Sequence, residues 1–291
     1  MHRVLVVLIF CFLSSGGSHN ARAAGEPATL PDSRFDALLE GVKSPYTDRL
    51  IAIGKRWVAK SDEATRAVAS VPSSASASAT PVDGLTAKLA GAEVKMECYN
   101  TPGSKSYVGV RGEMVVAVPV AKMDAVLANI DEYKELFPDY KDIHIVKKDG
   151  NRWLTFWEQI IPVFFLSNLK YEILYLVDHS QVDRPIYRFQ LKEPGSLRTF
   201  DGLILLEAQG TGTHYTEYDF WDADYGLLEK LAPSKIWTGS VEDALLSDLG
   251  LKYRAEHPDW TFKQIRKEAH QVADKYPIDE VVAARQPLTE K

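Results

Sequence analysis

The chain has 291 residues, 45% hydrophobic and 25% charged, an ordinary globular composition with room for one or two domains. Its 34 Lys and Arg against 40 Asp and Glu leave a net charge of −6, and no basic run exceeds a pair such as Lys147-Lys148. That speaks against a nucleic-acid binder, which needs a basic face to neutralise phosphate.

Residues 1–24 have the layout of a secretory signal: Arg3, an apolar run over 4–13, and Ala21-Arg22-Ala23 as the cleavage site. Ten apolar residues fall short of the roughly 20 that span a bilayer, and no cysteine follows at a lipid-attachment position. The expectation is an exported protein, periplasmic or secreted; the rival reading is an uncleaved membrane anchor. Cys11 leaves with the signal, so Cys98 remains alone and cannot form an internal disulfide. Residues 30–69 read as helical, with Asp32 as N-cap and Phe35, Leu38, Leu39 and Val42 at helical spacing. After Pro45 a second helix over 47–69 carries Leu50, Ile51, Ile53, Trp57 and Val58 on one stripe. This segment either packs on the later domain, the favoured reading, or forms a dimer arm. Residues 70–82, with SVPSSASASATP, form a low-complexity linker and the clearest domain boundary. The stretch 84–96 is a weak signal for a short helix and a strand.

From residue 107 the pattern is regular. A strand RGEMVVAV ends at Pro119, a helix covers 121–130, and a second short helix over 131–137 stops at Pro138. Six strands follow at 142–148, 153–161, 169–178, 186–191, 199–208 and 214–221, separated by turn residues. Asp149-Gly150-Asn151 between two alternating runs is a strong hairpin signal. A long helix over 233–254 has Pro233 in its first turn, where a missing N–H does no harm. His257-Pro258 breaks it, an amphipathic helix covers 261–275, and the last residues read as a loose tail within a 257–291 extension.

This order, with the stretch VAVPVAKMDAVLANIDEYKELFPDYKDIHIVKKDGN, resembles the START-like (helix-grip, SRPBCC) superfamily, which includes polyketide cyclase/dehydrase and coenzyme Q-binding proteins. The resemblance covers residues 107–256, and in that family a triplet like Tyr133, Phe137 and Pro138 closes the second helix. It implies an α+β, helix-grip fold: a curved seven-stranded antiparallel sheet wrapped around the long C-terminal helix, with extra helices at both ends. The superfamily hosts carriers and enzymes alike, so fold does not decide function. The secretory signal, the helical preface and the helix at 261–275 depart from it.

Alternation assigns the cavity face. With Lys170 and Glu172 outward, Tyr171, Ile173 and Tyr175 turn in; with Arg188 and Gln190 outward, Tyr187 and Phe189 turn in. Placing Glu217 and Asp219 outward turns Thr216, Tyr218 and Phe220 in, and Trp237, Val241 and Leu245 of the long helix form the opposite wall. On the strand at 153–161 both face sets are plausible, with Phe156 a candidate ligand contact and Glu158 either a buried acid or, as favoured, an exposed charge. His214 is a candidate base at the pocket mouth. IIPVFFL over 160–166 offers either a buried loop or a transient membrane contact through Phe164 and Phe165. No metal-ligand, nucleotide-binding or nucleophile-elbow spacing occurs, so no metal or cofactor is expected.

Burial of a hydrophobic ligand (a lipid, sterol-like or isoprenoid molecule) without catalysis is therefore the leading expectation. The alternatives are a cyclase/dehydrase-type enzyme using Glu158 or His214, and an interaction module with a filled core.

Overall fold

A computed structural model describes residues 41–67, 85, 89, 91–100, 107–137, 139–161, 167–226 and 228–287. The signal segment, the helix expected around Phe35, the 70–82 linker and Phe164-Phe165 lie outside these residues.

Long alternating runs make one sheet. Strands β1 (Val94–Asn100), β2 (Tyr107–Val116), β3 (Tyr140–Asp149), β4 (Arg152–Gln159), β5 (Leu169–Asp178), β6 (Ile186–Leu191), β7 (Leu197–Gln209), β8 (Gly212–Ala223) and β9 (Gln286–Pro287) lie in the order β3-β4-β5-β6-β7-β8-β2-β1-β9. All pairs are antiparallel except β1 with β9. Two residues close each of the tightest hairpins, β3–β4 and β7–β8. Their first loop positions, Gly150 and Gly210, hold φ of +57° and +61°, the left-handed region that such turns demand.

Between β2 and β3 run α2 (Val120–Leu127), a 3₁₀ turn (Ile130–Glu132) and α3 (Tyr133–Leu136). After β8 come α4 (Leu228–Leu231), the long α5 (Pro233–Glu256), α6 (Phe262–Ala273) and α7 (Ile278–Ala283). Helix α5 lies in the sheet's concave side, along β1, β2 and α2, with α6 and α7 behind it. Thr261 caps α6 through a reciprocal capping box with Gln264. This is the helix-grip architecture, with nine strands where seven were expected. β1 and β9 extend one edge, and the supposed tail instead forms α7 and pairs with β1.

The convex face is also covered. Helix α1 (Thr47–Ala67) and the turn before it pack Leu50 and Tyr46 against Tyr99, Ile186, Leu203, Leu205 and Phe220, a second apolar core. Tyr46 lies on Phe220 with ring centroids 4.3 Å apart. Val42, expected in a helix, lies outside any helix, and its N–H donates to Leu191 O at 2.8 Å.

Candidate functional site

Register sets which side chains meet inside the grip. Tyr175 pairs with Phe189, Phe189 with Gly202 and Gly202 with Asp219, so Asp219 shares the concave face with the aromatic residues of β5 and β6. The same register brings Glu217 in beside Ile204 and sends Thr216, Tyr218 and Phe220 out. Here the sequence reading of β8 is off by one. It put the carboxylates in water and the rings inside, whereas Phe220 belongs to the core under α1 and Tyr218 binds Arg111, whose Nε donates to its hydroxyl at 3.1 Å.

The interior is therefore acidic. Two small chambers of about 60 and 70 Å³ meet at Tyr140, Phe200, Asp219 and Ser247. A water needs roughly 10–15 Å³ of such space, so each chamber admits a few waters or a small head group, not a whole lipid. The first chamber continues past Gln159, Tyr225, Ser240 and Asp243 into an outer groove of about 520 Å³. Ile160, Ile161, Ile236 and Leu246 give that groove an apolar floor, and Asp139, Lys235, Glu242 and His270 also line it. Of these three connected spaces, the groove has the 300–1,000 Å³ or so of a typical ligand pocket.

In the first chamber Phe200 stands edge-on to Tyr171 (6.2 Å, 78°) and to Trp221 (6.3 Å, 88°), so three rings form a corner. The Tyr225 side chain is hydrogen-bonded to Trp221 and Ser240. Asp219 reaches both chambers, and its Oδ1 is buried with no hydrogen-bond partner among the described residues. Burial, then the nearby Glu217, pushes its pKa well above the ordinary carboxylate value. Deeper in, Glu217 accepts from Tyr215 Oη at 2.6 Å and shares a hydrogen bond with Asp248 of α5. Burial raises both of these pKa values, as it does that of Asp243, which is hydrogen-bonded to Asp139. No Lys, Arg or His is among the described residues lining either chamber.

Of the expected contacts, Tyr171 lines the first chamber and Tyr175, Tyr187 and Phe189 the second. Ile173 is on the same face but packs in the core away from both. Phe156 turns out of the grip and meets His144, 5.2 Å between ring centroids. Trp237, Val241 and Leu245 are buried one ridge away, Trp237 under Arg285. The ridge that faces the chambers is Ser240, Asp243, Ala244 and Ser247. Sequence reasoning missed this polar stripe, although Ser240, Asp243 and Ser247 recur at helical spacing.

Both candidate catalytic residues lie elsewhere. Glu158 accepts from Asn168 at 2.8 Å and Lys141 at 3.1 Å, which hold its pKa below the ordinary value. His214 Nε2 is 3.0 Å from Glu113 Oε1 in a separate surface groove of about 240 Å³ with Lys95 and Lys252. Hydrogen bonding from His214, reinforced by Arg111, brings Glu113 down to about 2. Among the described residues no cluster of His, Cys, Asp and Glu is arranged to hold a metal.

The sheet closed on α5 gives the chain a helix-grip fold. No family model matches the chain, and no curated protein sequence matches it. Solved structures do. A protein of Thermus thermophilus aligns at 15% identity over 52% of this chain and 99% of its own, with a TM-score of 0.46. A STAR-related lipid transfer protein of Xanthomonas axonopodis aligns at 15% identity over 56% and 93%, TM-score 0.46. The human StarD13 lipid transfer and protein localization domain aligns at 10% identity over 68% and 96%, TM-score 0.45.

Proposed function

We propose that the protein binds one amphiphilic molecule, with its apolar body in the outer groove and its polar end in the chamber at Asp219. The observation that carries this is continuity: groove and chamber share Gln159, Tyr225, Ser240 and Asp243, and the passage ends on a buried carboxyl oxygen without a partner among the described residues. An orphaned buried polar atom is expensive, by roughly 1–3 kcal/mol, and a ligand group that satisfies it recovers that energy. The apolar floor of the groove adds about 25 cal/mol for each Å² of ligand surface that it covers. The body is lipid-like, sterol-like or isoprenoid. The reading also keeps the protein in an exported compartment on the strength of residues 1–24, which N-terminal sequencing of the mature chain tests.

A cyclase-type enzyme is the second reading, favoured by one observation: carboxyls that retain a proton, Asp219 above all, are poised as general acids. Native mass spectrometry of protein purified without detergent separates the two, because a carrier retains an unaltered ligand. Plugging the neck tests the site itself. Ser240→Phe should weaken binding of a fluorescent ten-carbon amphiphile at least tenfold while circular dichroism stays native. Unchanged binding by the folded variant overturns the proposal.

A further inference from the structure

We infer that the polar end of the ligand is a cation, a protonated amine or quaternary ammonium group, received at Asp219 in the corner formed by Tyr171, Phe200 and Trp221. The inference rests on the proposed function and deepens it.

Charge balance is the first support. Asp219 and Asp243 line the first chamber, Asp219 and Glu217 the second, and neither contains a basic side chain among the described residues. Elsewhere the same protein pairs an enclosed carboxylate with a cation: Asp201 with Arg188. Inside the grip the acids are grouped without such a counter-charge among the described residues. A buried carboxylate is tolerated when paired or when protonated, and a bound cation provides the pairing.

Shape and ring chemistry are the second. A chamber of about 60 Å³ suits a compact head group. Aromatic faces attract cations by about 0.5–2 kcal/mol each when water is excluded. Tyr171, Phe200 and Trp221 stand nearly perpendicular around the space that Asp219 enters. Tyr140 Oη, 3.5 Å from Tyr171 Oη, adds an acceptor on the same side.

The approach agrees. Asp139 and Glu242 face Lys235 and His270 across the groove, and Asp243 is hydrogen-bonded to Asp139, so the approach carries no excess of positive charge to repel a cationic amphiphile. The groups facing Asp219 are Tyr215 and Glu217 on its own strand, Tyr225 just after it, Asp243 and Asp248 on α5, Tyr140 on β3, and Tyr171 and Tyr175 on β5. All are acidic or neutral. Burial and the neighbouring Glu217 favour the protonated form of Asp219 in the empty protein, whereas a bound cation favours the carboxylate, so binding is coupled to proton release.

The test uses decyltrimethylammonium, decyl sulfate and 1-decanol below their aggregation limits, with titration calorimetry on the full mature chain. The cation should bind at least tenfold tighter than the alcohol or the sulfate. It should also release close to one proton when two buffers of different protonation heat are compared. Asp219→Asn should erase both the preference and the proton release while retaining decanol binding. The inference is overturned if the sulfate or the alcohol binds as tightly as the cation, or if Asp219→Asn keeps the preference. If none of the three binds, the groove-and-chamber reading fails, and this inference with it.

Discussion

Asp248 of α5 sits directly on Gly112 of β2: a β-carbon built on the glycine would come within 1.9 Å of the Asp248 carboxyl oxygen Oδ2. The helix can bring this acid down to hydrogen-bond Glu217 only because β2 has no side chain at that point. Gly112→Ala should therefore destabilise the fold by about 1–3 kcal/mol, the usual range for overpacking a well-filled interior. Gly239 provides the contrast. It lies inside α5 with open space where a methyl would go, so Gly239→Ala should stabilise by about 1 kcal/mol through helix propensity alone. Urea unfolding of the two variants checks both signs, and equal effects would contradict the contact at Gly112.

The acids inside the grip also predict how stability depends on pH. Burial raises the folded-state pKa values of Glu217, Asp219, Asp243 and Asp248 above ordinary values of 4.5 for Glu and 3.8 for Asp. Between the unfolded and folded values the native state binds more protons. Stability is then fully present below about pH 4 and declines as pH rises, by up to about 1.4 kcal/mol per pH unit for each retained proton. Glu113 acts in the opposite sense. Its folded value near 2 gives stability above pH 4.5 that is lost as pH falls through 2. The melting temperature should accordingly fall from pH 5 to pH 8, and Asp248→Asn, which removes one of the raised acids, should make the fall shallower. A melting temperature that rises over this interval would mean that the interior acids are ionised and satisfied.

That acidic interior is the part least legible in the sequence. The succession of strands, the two Gly-led hairpins, α5 with Pro233 at its start and the faces of β5 and β6 follow from alternation, turn chemistry and helical spacing, whereas the closure of the sheet on α5 was implied by the family resemblance. The reading failed on β8 because it assumed that Glu217 and Asp219 seek water. In HYTEYDFW both alternate sets contain aromatics, so polarity alone decided, and polarity pointed the wrong way where the protein keeps acids inside. The same assumption favoured the apolar ridge Trp237, Val241 and Leu245 over the polar one beside it. The covering of the convex face by α1 was half visible: the stripe of Leu50, Ile51 and Trp57 announced a buried face, but not which surface would receive it. β9 is two residues long and exists through pairing with β1, which no local signal marks.

The positions of Glu158 and His214 lead to a third expectation. Glu158 is held between Lys141 and Lys170 outside the grip, and His214 opens into the separate groove beside Glu113 and Lys252. Neither touches a chamber. Glu158→Gln and His214→Ala should each leave the affinity for decyltrimethylammonium within about twofold of the parent. A tenfold loss from either would move the functional site away from Asp219.

The last expectation concerns the convex face. Arg188 on β6 forms an ion pair with Asp201 on β7, and its Nη1 also donates to Phe189 O at 2.7 Å and Gly202 O at 2.6 Å. Asp201 in turn accepts from Ser44 Oγ at 2.8 Å and from Thr47 Oγ1, which ties the first turn of α1 to the sheet. Removing one member of a buried pair strands the other charge, at about 3–5 kcal/mol. Asp201→Ala should show that loss in guanidinium unfolding and should also expose α1 to protease before the rest of the domain unfolds. Thr47→Val, which deletes one hydrogen bond but no charge, should lose only about 1 kcal/mol. Replacing both partners at once, Arg188→Met with Asp201→Leu, leaves no orphaned charge and should recover much of the stability lost by Asp201→Ala. If the double variant is as unstable as the single one, the pair's role is to position α1 through the Ser44 and Thr47 hydrogen bonds, and charge compensation is secondary.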